Sequence, residues 1–184
     1  MRVDGHSDPE LDNQYLVRSL YFDSPDSRAF YEKTDGVKSR NKFRIRTYAR
    51  NFEKSAPIFL EEKGRYNERT YKHRVKLQKS DLELVLGRFD AFDLETKFPE
   101  IKVVEKFAVD VLRRELKPRV LVDYIRRPYT SDYDMNFRIT FDQQLQAMAS
   151  SELHPEGWAR AKSCIAGMTI MEVKFNRRIP AWFH

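Results

Sequence analysis

Basic residues recur at every second position in several short stretches of this chain, and any chemistry it performs must start there. In 40–50, Lys42, Arg44 and Arg46 share one face of a strand, with Phe43, Ile45 and Thr47 on the other. In 68–77, Lys72, Arg74 and Lys76 oppose Tyr71, His73 and Val75. In 135–142, Asn136, Arg138, Thr140 and Asp142 oppose Met135, Phe137, Ile139 and Phe141. Carboxylates occur singly among these cations. Glu61 shares a face with Phe59 and Lys63, opposite Ile58, Leu60 and Glu62, while Glu172 and Lys174 lie opposite Met171, Val173 and Phe175. Arginine forks grip phosphate oxygens two at a time and lysines act as point charges, so such a face suits a highly charged anion. A single acid among cations suits a hard metal that bridges to phosphates and keeps several waters. Phosphoryl transfer asks mainly for positioning and for cations that spread developing charge.

Periodicity alone is also met by a one-sided sheet with its charged face in water. For Glu172 the plain alternative is an ion pair with Lys174 or with an arginine of a neighbouring strand, and Glu61 and Asp142 read as ion-pair partners as readily as ligands. Against the solvated face stands the sign pattern: arginine-rich, with isolated acids, where a wetted face mixes signs more evenly.

Seven segments read as the strands that would carry these residues: 15–23, 42–50, 56–64, 68–77, 119–127, 135–143 and 168–176. The third and fourth form a hairpin across Arg65, Tyr66 and Asn67. Between the strand groups the period changes. Ser80 with Glu83 reads as a capping box ahead of Leu82, Val85, Leu86 and Phe89. A second helix runs from about Ile101, with Val104, Ala108, Val111 and Leu112 on one stripe, and ends near Lys117 and Pro118. A further helical piece falls around 152–162. The class is α+β, a mainly antiparallel sheet in a single domain over 1–184. Helices are few and apolar strand faces many, so the sheet must curve. If it closes with the apolar face outward, the cations converge on the axis, tolerable only around a wet lumen that holds an anion.

Composition narrows the rest. The 184 residues include 34 Lys and Arg against 28 Asp and Glu, a formal charge of +6 that favours an anionic partner. Six glycines, with neither a P-loop nor a dinucleotide fingerprint, leave phosphate binding to side chains. Cys164 is the single cysteine, so no disulfide forms within the chain and a reducing compartment is expected. No apolar run has the length of a membrane span, and "MRVDGHSDPE" lacks a signal-peptide core, which reads as soluble and cytoplasmic. His73 sits on the apolar side of a basic strand; His6, His154 and His184 fall in loop or terminal contexts. Ser19, Tyr21 and Asp23 either face the lumen or pack and cap a strand end. The 13 Phe and nine Tyr read as the helix-covered face rather than a base-stacking platform, so nucleic acid is not the expected partner.

The ordered segments "YLVRSLYFDSPDSRAFYEKTDGVKSRNKFRIRTYA", "FLEEKGR", "KHRV", "VDYIRRPY", "FRITFD" and "IMEVKFN" resemble the VTC (vacuolar transporter chaperone) domain in its bacterial polyphosphate polymerase form. That family belongs to the triphosphate tunnel metalloenzymes, the CYTH-like superfamily. The resemblance runs from Tyr15 to the C-terminus and is broken over 80–118. It implies an eight-stranded antiparallel tunnel barrel with helices packed outside. It also implies transfer of the ATP γ-phosphate to a growing polyphosphate chain with Mn²⁺ or Mg²⁺, and it leaves room for a membrane partner protein. By position it assigns Arg44, Arg46, Lys63, Arg126 and Arg138 to catalysis. Lys42, Lys72, Arg74 and Lys174 are assigned to phosphate binding and Glu172 to the metal, with Glu61 and Asp142 as further metal candidates. Two departures stand out. The family's first strand, of Glu-Leu-Lys-Tyr type, has no counterpart before Tyr15, and the chain ends at "PAWFH" ahead of a family Ser-Lys-Tyr segment. The expectation is therefore a chain truncated at both ends, with seven of eight strands and reduced or absent polymerase activity. A tripolyphosphate or nucleoside triphosphate hydrolase of the same fold, and a non-catalytic polyphosphate-binding module, are the competing readings.

Overall fold

A computed structural model describes residues 1–3, 12–52, 56–87, 89–134, 136–176 and 178–183; Met135, His6 and His184 lie outside the described residues. The elements run β1 (Arg2–Val3), β2 (Tyr15–Asp23), α1 (Arg28–Thr34), β3 (Ser39–Thr47), β4 (Ile58–Tyr66) and β5 (Arg69–Leu77). Then come α2 (Leu82–Leu86), α3 (Ala91–Lys97), α4 (Lys102–Arg114), β6 (Lys117–Thr130), β7 (Arg138–Ala149), β8 (Lys162–Ser163) and β9 (Ile170–Lys174). The class is α+β with antiparallel strand pairs. Two compact units divide the chain: a larger one of 18–122 and 148–160, and a smaller one of 1–17, 123–147 and 161–184.

In the larger unit β2, β3, β4 and β5 pair in sequence order, each antiparallel to the next. Alternation does what it should. Phe43, Ile45, Ile58 and Leu60 join Val103, Val104 and Phe107 of α4 in one buried cluster. Phe107 is its hub, edge-on to Phe22 at 5.0 Å, Phe43 at 5.3 Å and Phe89 at 5.9 Å. Burying such a ring stabilises by about 1.5–3 kcal/mol. The β4–β5 hairpin forms, with Tyr66 opposite Arg69. Its two-residue turn begins at Asn67 with φ 51°, a left-handed conformation that asparagine tolerates, so the turn centres later than Tyr66. Among the described residues, β5 has β4 as its strand partner, and the sheet is not closed there.

The helices differ from the periodic reading in ways with local causes. The cap ahead of α2 is formed by Gln78 and Asp81, not Ser80 and Glu83: the Gln78 N–H donates to the Asp81 carboxylate at 2.7 Å around a short 3₁₀ turn. The buried stripe of α4 is Val103, Val104, Phe107 and Ala108, while Leu112 is 67% exposed. This helix stops at Arg114 because Glu115 turns left-handed at φ 52°. Lys117 and Pro118 therefore open β6 rather than closing a helix, and proline is tolerated at a strand start. Helix α1 buries no side chain, so it leaves no apolar stripe to detect. Helix α3 is seven residues long and capped by Asp90, which accepts from the Phe92 and Asp93 N–H groups. Around 152–162 the helical piece is a 3₁₀ turn, Trp158–Arg160.

In the smaller unit β7 pairs with β8 and β9, and Phe137 packs edge-on to Trp182 at 4.9 Å. A short strand precedes Tyr15: β1 pairs with β6 through Arg2 opposite Thr130 and Val3 opposite Tyr129. Two residues carry no period. Strand β9 keeps the expected order of side chains, but its apolar face is not covered, and Met171 and Phe175 are exposed.

Candidate phosphate-binding site

The polar face of β3, β4 and β5 is built in cross-strand rows. Lys42 lies opposite Lys63, which lies opposite Lys72; the next row is Arg44, Glu61 and Arg74; the third is Arg46, Phe59 and Lys76. On the other side of β3, Tyr21 faces Arg44 and Ser19 faces Arg46. Period two therefore sets the whole array, because every member shares its strand's parity with the next.

Glu61 sits at the centre, fully buried. Arg44 donates to one of its oxygens through Nε at 2.8 Å and Nη2 at 2.7 Å, Arg46 stands 3.9 Å from the same atom, and Lys72 Nζ meets the other oxygen at 2.5 Å. Burial alone would raise the Glu61 pKa, but Arg44, Lys72 and Arg46 hold it below the usual carboxylate range. Arg44 also donates from Nη1 to the Tyr21 hydroxyl at 2.9 Å. Burial pushes the Tyr21 phenol up; Arg44, Arg46 and Lys63 more than reverse it, and its pKa falls. Burial lowers the pKa of Lys42 and Lys72, in the first case aided by the charge of Lys33. Arg46 donates to Ser19 at 3.1 Å, and Arg74 stacks over Phe59 at 4.7 Å.

A cavity of about 460 Å³ opens at the lysine end of these rows, lined by Tyr21, Lys42, Arg44 and Lys63 together with Lys33, Arg40 and Arg65. The last three were not among the sequence candidates. Arg40 and Arg65 share strand parity with Lys42 and Lys63, a signal that was available; Lys33 comes from α1, which had none. On the opposite face of β4, Glu62 is fully buried and held by Lys106 at 2.7 Å, His73 at 3.0 Å and Asn41 at 3.3 Å. His73 therefore belongs to the helix side of the sheet, as its parity requires.

The remaining candidates lie in the smaller unit. Arg126, 8% exposed, binds Asp142 bidentately, Nε to Oδ1 and Nη2 to Oδ2, both at 2.7 Å. Its Nη2 reaches Glu172 at 3.3 Å, and Lys174 stands 3.6 Å from the other Glu172 oxygen. Burial would lower the Arg126 pKa; the Asp142 carboxylate outweighs it and raises it. The guanidinium lies over the Tyr124 ring at 5.2 Å, and Arg138 donates to the Tyr15 hydroxyl at 3.3 Å. Tyr15 escaped the sequence reading because it meets Arg138 through the fold, 123 residues away, whereas Tyr124 lies two residues before Arg126 on β6 and shares its face by strand parity.

These contacts decide which acids suit a divalent cation. Both Asp142 oxygens are occupied by one guanidinium, and Glu61 is enclosed by three cations, so neither suits a metal. Glu172 is 37% exposed, with Arg126 at 3.3 Å and Lys174 at 3.6 Å, which fits a single carboxylate ligand whose metal takes its other oxygens from phosphates and water. Among the described residues no three His, Cys, Asp or Glu side chains gather as a metal cluster.

Helices on one face of an antiparallel sheet and rows of cations around a buried acid on the other define an α+β domain with a cation-rich strand face. The chain belongs to the VTC domain family, whose model matches residues 1–184. No curated protein matches the sequence. Among solved structures it is similar to a candidate adenylate cyclase from Bacillus halodurans, with 14% identity, a TM-score of 0.43, and 87% of this chain and 64% of that one covered. It is also similar to a Pyrococcus horikoshii protein, with 20% identity, a TM-score of 0.38, and 72% and 57% covered. The chain thus spans less than two thirds of either. Among the described residues no helix is long and apolar enough to cross a membrane.

Proposed function

We propose that this VTC domain is a metal-dependent polyphosphate polymerase, which transfers the γ-phosphate of ATP to the end of a polyphosphate chain in the cytoplasm. The observation that carries the reading is the buried Glu61 hub: one carboxylate holds Arg44 and Lys72 in place, with Arg46 beside them, on a face whose cation rows run into an open basic cavity. A terminal phosphate oxygen of the chain attacks the γ-phosphorus, the bond from that phosphorus to the β–γ bridging oxygen breaks, and ADP leaves. Within the larger unit Arg44, Arg46 and Lys63 are assigned to the reacting phosphates and Lys42, Lys72 and Arg74 to the chain; the resemblance to the family gives Arg126 and Arg138 of the smaller unit a catalytic role and Lys174 a phosphate-binding one. Glu172 of the smaller unit would hold Mn²⁺ or Mg²⁺, whose chemistry in such a reaction is to neutralise charge on phosphate oxygens. The cations come preorganised, because their acids already fix their forks, and preorganised charge is the main resource in such a reaction.

The test is incubation with ATP, Mn²⁺ and a short polyphosphate primer, with products resolved on a gel. The expected result is a lengthening ladder that Arg44→Ala and Glu172→Gln abolish. Phosphate release from tripolyphosphate without lengthening would assign a hydrolase instead, a reading disfavoured by acids that are single and cation-paired. Binding without turnover, lost in Arg44→Ala but kept in Glu172→Gln, would assign a polyphosphate-binding module.

A further inference from the structure

The cation rows have two ends, and only one meets the basic cavity. At the other end of the same strands, within the larger unit, lies a second cavity of about 290 Å³, near the lower limit for small-molecule sites. Its character is different. Phe52, His154, Ile58 and Leu77 supply apolar and aromatic wall, and Lys76 and Lys79 supply charge. Lys76 belongs to both places, since it lines this cavity and stands in the Arg46–Phe59–Lys76 row.

The Phe52 ring is 41% exposed in spite of its size. His154 stands against it at 4.1 Å and 67°, fixed by its own contacts to the Arg50 carbonyl at 2.7 Å and the Arg18 guanidinium at 3.4 Å. The Lys79 ammonium lies over the ring at 4.3 Å. Phe52 is therefore a braced aromatic platform whose cover is the tip of an exposed lysine. Lysine on an exposed ring is a weak contact, readily exchanged for a flat ring system.

We propose that this cavity is the nucleobase subsite of the phosphoryl donor: the base stacks on Phe52, Lys79 swings toward the phosphates, and the triphosphate runs along the rows from Lys76 toward Arg44. The spacing supports it. Arg46 and Arg44 are two residues apart, about 7 Å along the strand, so a donor whose α-phosphate meets Arg46 and Lys76 brings its terminal phosphate to Arg44. The nascent polymer would then occupy the opposite, lysine-rich cavity. This inference rests on the reading of the basic face as a phosphate site, and it adds a means of telling a nucleotide from an inorganic polyphosphate.

The experiment compares ATP and tripolyphosphate binding by calorimetry in the wild-type chain, Phe52→Ala and Phe52→Tyr. Loss of a base stack is expected to weaken ATP by about tenfold or more in Phe52→Ala while tripolyphosphate binding is unchanged, and Phe52→Tyr, which keeps the ring, should match wild type. Unchanged ATP binding in Phe52→Ala overturns the inference. So does an equal loss for both ligands, which would mark Phe52 as merely structural. In either case the wild-type chain still binds tripolyphosphate and the proposed phosphate face stands. A wild-type chain that binds neither ligand overturns the proposed function and this subsite with it.

Discussion

Replacing Glu61 by glutamine puts the central hub to a quantitative test. The substitution keeps shape and removes one negative charge from between Arg44, Arg46 and Lys72. Removing one partner of a fully buried ion pair costs about 3–5 kcal/mol. Here Lys72 is 41% exposed and can turn to water, whereas Arg44, at 12%, cannot. A loss of about 3 kcal/mol follows, or roughly 6–12 °C in Tm for a chain of this size. The informative arm adds tripolyphosphate. If the face is built for phosphates, the anion supplies the charge that Glu61 no longer does. The variant should then bind tripolyphosphate more tightly than wild type, and a concentration of about 100 Kd returns roughly 2.7 kcal/mol, most of the deficit. Urea denaturation at low ionic strength, with and without the anion, reads both numbers. Equal stability of the two proteins without anion, or a deficit that tripolyphosphate leaves untouched, would refute the reasoning.

Acid should destabilise through the same groups. Arg44, Lys72 and Arg46 depress the Glu61 pKa against its burial, and Lys106 and His73 do so for Glu62, so their contribution is complete above the ordinary carboxylate range and is lost as pH falls through the depressed folded values. Urea midpoints from pH 7 downward should trace that loss, with a shallower slope in Glu61→Gln. Gly64→Ala should cost about 1–3 kcal/mol in urea unfolding, because the new Cβ would lie 2.0 Å from Cζ of Tyr71, and combining it with Tyr71→Ala should cost less than the sum. Asp142→Asn should cost about 3 kcal/mol by leaving buried Arg126 unneutralised, whereas Glu172→Gln, at a half-exposed pair, should cost under about 1 kcal/mol by the same measurement. Manganese binding followed by electron paramagnetic resonance should vanish in Glu172→Gln and persist in Glu61→Gln.

The polar face was legible in the sequence wherever strand parity governs it. Lys42, Arg44 and Arg46, then Glu61 and Lys63, then Lys72 and Arg74 lie on one side because alternate residues must. Parity does not say which partner a side chain will find. That Asp142 is consumed by Arg126, or that Phe52 is braced by His154 about a hundred residues away, is a product of packing. Helices read well where they bury a stripe, as α4 does through Phe107, and not where they bury nothing, as in α1. Helix ends were the least legible feature, since the left-handed turn at Glu115 leaves Lys117 and Pro118 to a strand.

Among the described residues the side of β5 away from β4 has no strand partner, which carries a consequence for handling the protein. An open strand edge is a template for another chain, and proteins blunt such edges with charge. Here Arg69, Lys72, His73, Arg74 and Lys76 are all exposed along the strand. Two copies meeting edge to edge would set cation against cation, so repulsion guards this edge. Salt weakens that guard, and a polyanion bridging two edges would reverse it. Turbidity or light scattering should therefore rise with long polyphosphate at low protein occupancy and clear again in excess, the signature of an edge protected only while its counter-charge is scarce.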